Sequence, residues 1–116
     1  MKRKIIDYLQ DILVECNYLI KESKKIDYSS FIENENLKRA FVRSLEIIGE
    51  ASKKIPKTIQ NTYSEINWRE VKGMRDKLIH EYFGIDYKVV WKTIKEDIPN
   101  LKEVIEKILE SFKENE

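Results

Sequence analysis

One cysteine and one histidine are all the chain holds of those two metal-binding residue types in 116 residues. One of each cannot assemble a zinc site, which takes three or four such ligands. With Cys16 alone, no intrachain disulfide can form, and an intracellular, cytoplasmic setting is expected. Glycine is scarce at three and proline at two, too few for the many turns of a sheet protein. No apolar run is long enough to span a membrane. The first residues, Met1-Lys2-Arg3-Lys4-Ile5-Ile6-Asp7, lack the apolar core of a signal peptide. An excess of one charge is missing too: 22 Lys and Arg face 21 Asp and Glu, a net charge of +1. That balance is not the basic footprint of a dedicated nucleic-acid binder. Any surface for RNA must therefore be a local patch, or be completed by a second copy.

What the chain has in plenty is Lys, Glu, Ile and Leu, with 41% hydrophobic and 37% charged residues. This composition points to an all-α protein, a single domain over residues 1–116 that is long enough to bury a real core. Ile5, Leu9, Ile12, Cys16 and Leu19 repeat at spacings of three and four, which predicts an amphipathic helix over about 3–25. Cys16 falls on that stripe, so packing is its expected role. Asp27-Tyr28-Ser29-Ser30 reads as a break, with Ser29 or Ser30 capping a short turn through Phe31. A second long helix is predicted over about 35–54, with Leu37, Phe41, Leu45, Ile48 and Ala51 on one face.

Residues 56–66 read as a short helix and loop, packing through Ile59, Tyr63 and Ile66. Asn67 suits the N-cap of a helix from Trp68 to about Phe83, with Glu70 placed as in a capping box, and Gly84 suits its end. Asp86 would cap a last helical region to about Phe112, kinked or broken near Pro99. The expected architecture is an up-and-down bundle of four or five helices.

The chemistry concentrates in Arg75-Asp76-Lys77-Leu78-Ile79-His80-Glu81-Tyr82. Arginine offers a phosphate a fixed fork of donors, and histidine is the side chain best suited to move protons near neutral pH. Together they form a minimal kit for metal-free cleavage of a phosphodiester, with no cofactor. On a wheel at about 100° per residue, Arg75 falls inside the apolar arc of Val71, Met74, Leu78 and Ile79, and Tyr82 shares its face. An arginine there wants a carboxylate or an anion; Glu46 and Glu50 are candidate partners. His80 lies about 140° from Arg75 on the same wheel. Asp76, four residues before it, would lie beneath it and orient the imidazole. For Arg75 and His80 to meet at one phosphate, either the helix distorts or two copies face each other across a dimer. Lys72 and Lys77 flank the motif as phosphate contacts or as solvated lysines. Gly73, in mid-helix, suggests a close approach by another backbone or a ligand.

Arg75-x4-His80-x-Tyr82 resembles the R-x4-H-x-Y signature of the HEPN superfamily, in its branch of HepT-like toxins. The resemblance extends over Ile48-Gly49-Glu50-Ala51, Trp68 to Met74, Tyr82 to Asp86, Val90-Trp91 and Ile98-Pro99-Asn100-Leu101. It thus covers most of residues 36–101. Two positions depart from it: Asn67 stands where proline is frequent, and Asp76 where asparagine is frequent.

The resemblance implies a helical homodimer whose two motifs face one cleft, with metal-independent cleavage of RNA (a tRNA or an mRNA) by Arg75 and His80. It implies a toxin–antitoxin pair of the type VII kind. The partner would be a minimal nucleotidyltransferase that moves AMP onto Tyr82 and so silences the toxin. Asp76 and Tyr82 would support the catalytic pair. Two other readings stay open at this point. The chain could be a non-catalytic docking module that binds a nucleotide for the transferase, or a bundle whose motif only makes ion pairs.

Overall fold

The computed structural model describes residues 3–80 and 84–114, and of His80 its backbone alone. Three helical runs carry the core. Helix α1 (Ile5–Ser23) places Leu9, Ile12, Cys16 and Leu19 inward, as its period predicts. A short α2 (Tyr28–Glu33) leads into α3 (Glu35–Ser52), which buries Phe41, Leu45, Ile48 and Ala51. The cap of α2 is Asp27 rather than a serine. Its carboxylate accepts the Ser30 amide at 2.9 Å, because the side chain just before the first helical residue, two positions ahead of Ser29, is the one that reaches the free amides of the first turn.

Helices α4 (Lys57–Thr62), α5 (Trp68–Lys72) and α6 (Met74–Leu78) follow. A hairpin of two residues per strand comes next, β1 (Ile79–His80) and β2 (Gly84–Ile85). The last run is α7 (Tyr87–Lys92), a π-helical stretch over Thr93–Asp97, and α8 (Ile98–Glu114). Helix α1 packs between α3 and α8, while the far side of α3 takes α5 and α6. The all-α bundle expected from composition is the fold observed. Among the described residues no helix is long and apolar enough to cross a membrane.

Pro99 does not break the last run. It sits one residue into α8, just past the π-helical stretch, where the Ile98 amide donates to the Thr93 carbonyl five residues back. Proline has no N–H to give the Lys95 carbonyl. The wider π turn before it absorbs the lost bond, and Asn100 Nδ2 donates to the Glu96 carbonyl at 3.3 Å. Two polar ties hold this frame. Ser44 Oγ donates to Glu15 Oε1 at 2.7 Å, joining α3 to α1, and Lys95 Nζ donates to the Ser23 carbonyl at 3.0 Å.

The close approach of another helix that a glycine permits occurs at Gly49, whereas a Cβ on Gly73 would meet only the preceding turn, 3.2 Å from the Arg69 carbonyl oxygen. A Cβ on Gly49 would stand 3.1 Å from both Met74 Cβ and the Val71 carbonyl oxygen. Gly49 thereby lets α3 carry the segment that holds Arg75. Gly73 instead marks a jog: its amide donates to the Arg69 carbonyl at 3.0 Å, and the helix resumes when Lys77 donates to the Gly73 carbonyl at 3.1 Å.

Cys16 is wholly buried, and burial pushes its thiol up to about 12. Only the thiolate reacts. Cys16 is therefore expected to stay silent to a disulfide reagent at pH 8 in the native protein. It should react at the rate of a free thiol once the chain is unfolded in denaturant, as a colorimetric thiol assay would show.

Candidate functional site

The motif lies on two elements rather than on one helix. Trp68 opens α5, its indole N–H bonded to the Tyr63 carbonyl at 2.9 Å, with Asn67 capping the Glu70 amide at 3.2 Å as expected. After Gly73, helix α6 buries Met74 and Leu78, one turn apart, and turns Arg75 and Asp76 to solvent. The expectation that Arg75 lies within an apolar arc is overturned. The jog at Gly73 shortens the helical face, and Ile79 leaves the helix, so Arg75 sits about 100° away from the buried Met74 row.

No hydrogen bond or ion pair joins Arg75 to another described side chain. Glu46 and Glu50 are not its partners: Glu50 is bonded to Lys53 at 2.9 Å. A structural ion pair is thus not what Arg75 provides. Arg75→Ala should change the unfolding free energy by no more than about 0.5 kcal/mol, the usual range for an exposed site, as urea denaturation of the pair would show.

The helix predicted to reach Phe83 ends at Leu78. Ile79 takes an extended conformation at φ −107°, ψ 120°. The Leu78 carbonyl accepts the Asp86 amide at 2.9 Å, closing the hairpin. Ile79 pairs with Ile85 and His80 with Gly84. Gly84 adopts φ +73°, in the left-handed region that suits glycine, and it opens β2 where a helix end was expected. Ile79 and Ile85 pack against the core, and Asp86 caps α7 through the amides of Lys88 and Val89.

This geometry changes what the wheel implied. Arg75 belongs to α6 and His80 to β1, so the offset of about 140° between them no longer applies. The chain departs from the helix after Leu78, which is the local distortion named as one of the two alternatives. Asp76 likewise loses its helical place beneath His80. Tyr82, with Glu81 and Phe83, lies outside the described residues, so its sharing a face with Arg75 does too. The residue opposite His80 in the hairpin is a glycine, leaving no side chain on β2 across from it.

Lys77 is not a free phosphate contact, since its Nζ meets Asp97 Oδ2 at 3.1 Å. It also lines a cleft of about 210 Å³ with Met74, Glu65, Glu70 and Asp97, which Arg75 does not touch. Three carboxylates make that cleft a poor place for a phosphate. Arg75 does not line that cleft and is exposed away from it.

The HepT-like ribonuclease family model matches residues 4–108 of this chain. The chain belongs to that family. Among curated HepT-like relatives, "Putative RNase TTE0752" of Caldanaerobacter subterraneus subsp. tengcongensis is 50% identical over 106 residues, 91% of this chain and 95% of its own length. "Putative RNase MJ0125" of Methanocaldococcus jannaschii is 50% identical over 113 residues, 97% of each chain. "Probable ribonuclease HepT" of Thermococcus cleftensis is 48% identical over 108 residues, 93% of this chain and 98% of its own. No solved structure matched the chain.

Sequence reading did not find Gly49 as the packing point of the HepT-like segment, although Gly49 stands inside one of the stretches that carry the resemblance. A small residue amid the buried positions of α3 was the available signal.

Proposed function

We propose that this HepT-like protein is an RNase toxin that cleaves RNA without a metal, held silent by modification of Tyr82. The observation that carries the reading is the match of residues 4–108 to the HepT-like ribonuclease family, with Arg75 and His80 in its R-x4-H-x-Y motif. Arg75 is held in a helix and exposed, and like Arg39, Arg43 and Arg69 it has no hydrogen-bond or ion-pair partner among the described residues, so it is open to a phosphate.

In the proposed mechanism Arg75 holds the scissile phosphate and stabilises the charge that grows on its oxygens in the transition state. His80 acts as general base toward the nucleophile or as general acid toward the leaving oxygen. The hairpin supports this division of labour. Arg75 is fixed by α6, while His80 is carried by a strand anchored through Ile79, Ile85 and the Leu78–Asp86 bond. A second copy of the chain would bring a second motif to the same cleft. A minimal nucleotidyltransferase as antitoxin would place AMP on Tyr82, two residues from His80, adding a bulky anion where the RNA phosphate binds.

Growth after induction tests the reading, with wild type beside Arg75→Ala and His80→Ala and circular dichroism reporting the fold of each. Wild type is expected to arrest growth, and both folded variants to be harmless. Arrest by all three would overturn the assignment of the motif. Harmlessness of all three would overturn the toxin itself.

A further inference from the structure

Against the hairpin lies a cleft of about 320 Å³, with Tyr28 and Ile32 of α2 on one wall and Gly84, Ile85, Tyr87 and Lys88 on the other. Both tyrosines are in contact with neighbouring rings. The Tyr28 ring meets Phe31 at 6.4 Å and Trp91 at 6.1 Å between centroids, and the Tyr87 ring meets Phe31 at 6.3 Å. Lys38 Nζ also lies 4.6 Å from the Tyr87 centroid. The rings are thus fixed before any ligand arrives, which lowers the entropy lost on binding. A Cβ on Gly84 would meet none of the described residues within 4 Å, and Gly84 is the residue paired with His80. Paired strand residues lie about 4.5–5.5 Å apart between Cα atoms.

From this placement we infer that the Tyr28–Tyr87 cleft is a nucleobase subsite, holding an RNA base next to the phosphate cleaved at Arg75 and His80. The inference rests on the ribonuclease reading and names how that site grips its substrate. Proteins that bind single-stranded RNA combine backbone charge with aromatic platforms on which bases stack. Here charge is in short supply, at a net +1, so stacking must supply much of the hold. Lys88 is exposed at the mouth, where the next phosphate along the strand would pass. Asp86, which also borders the cleft, has its carboxylate bonded to the amides of Lys88 and Val89.

The test uses the full chain carrying His80→Ala, so that RNA is bound and not cut. Its probes are a fluorescein-labelled 12-nucleotide RNA of mixed sequence and the same sugar–phosphate strand without bases. Fluorescence anisotropy should show the base-bearing strand bound about tenfold more tightly. Adding Tyr28→Leu should abolish that difference while leaving affinity for the baseless strand unchanged. Arg75→Ala should weaken both strands alike. Should Tyr28→Leu fail to fold, Ile32→Trp, which plugs the cleft from its edge, is expected to abolish the difference in the same way.

Equal affinity of the His80→Ala protein for the two strands, or a difference that survives Ile32→Trp, would overturn the subsite and leave the ribonuclease reading standing. Failure of the otherwise native protein to cleave RNA would instead remove that reading, and the subsite with it.

Discussion

His80→Ala and Arg75→Ala are each expected to slow RNA cleavage by about a hundredfold to ten-thousandfold with the fold intact. The lower figure is what one donor to a developing oxyanion typically contributes, and the range is that of a positioned general acid or base. Single-turnover cleavage of a labelled RNA, read beside thermal unfolding of the same samples, is the measurement. Arg75 is exposed and bonded to no other described side chain, so its loss should act on rate and leave stability alone. Arg75→Lys should recover only part of the rate, because lysine replaces a planar fork with a point charge. The two single changes should not add fully in the double variant, since both act in one transition state. A limb of the pH–rate profile should vanish in His80→Ala and persist, at lower amplitude, in Arg75→Lys. His80→Ala cleaving at the wild-type rate would remove the histidine from the mechanism.

Where side-chain periodicity was long, the sequence was readable. Leu9, Ile12, Cys16 and Leu19 could occupy only one stripe of one helix, and in α8 Leu101, Ile105 and Ile108 recur at spacings of four and three and are buried. Caps were readable where an Asx residue immediately preceded a helical period, as at Asn67 and Asp86. Reading failed at Gly73, where the helix is interrupted, and at Ile79 and His80, inside the segment that matters most. Apolar residues at 71, 74, 78 and 79 fit a helical arc, and nothing before Gly84 except Gly73 looks like a breaker. Yet Ile79 and His80 are mediocre helix formers, and Ile favours strands. That local preference, reinforced by a glycine able to adopt positive φ, is the signal the wheel outweighed. The consequence is functional. Arg75 and His80 need not share a helix to meet at one phosphate, so the wheel by itself no longer calls for a second chain. The case for a dimer rests on family resemblance.

Phe31→Ala is expected to cost about 3–5 kcal/mol, the range for deleting a buried phenyl ring. That is a large part of the 5–15 kcal/mol by which a domain of this size is stable. Urea denaturation at 25 °C, wild type against variant, is the check, with Val14→Ala as control. Val14 is 61% exposed and should lie within about 0.5 kcal/mol of wild type. Phe31 stands in a helix of six residues, too short for any hydrophobic period to announce it, and the sequence marks it only as the end of a turn. Its ring nevertheless joins α2, α3 and α7: it stacks on Phe41 at 5.3 Å and meets Trp91 at 5.1 Å and Tyr87 at 6.3 Å. Each such pair adds about 0.5–1.5 kcal/mol beyond simple burial. Phe31→Leu keeps most of the apolar volume and loses the ring, so it should retain more than half of the lost stability. What it cannot restore is the aromatic backing of Tyr28 and Tyr87. A Phe31→Leu protein that is folded yet cleaves RNA with a raised KM and an unchanged kcat would show that the cluster serves substrate binding as well as the core. A KM equal to that of wild type would confine Phe31 to packing.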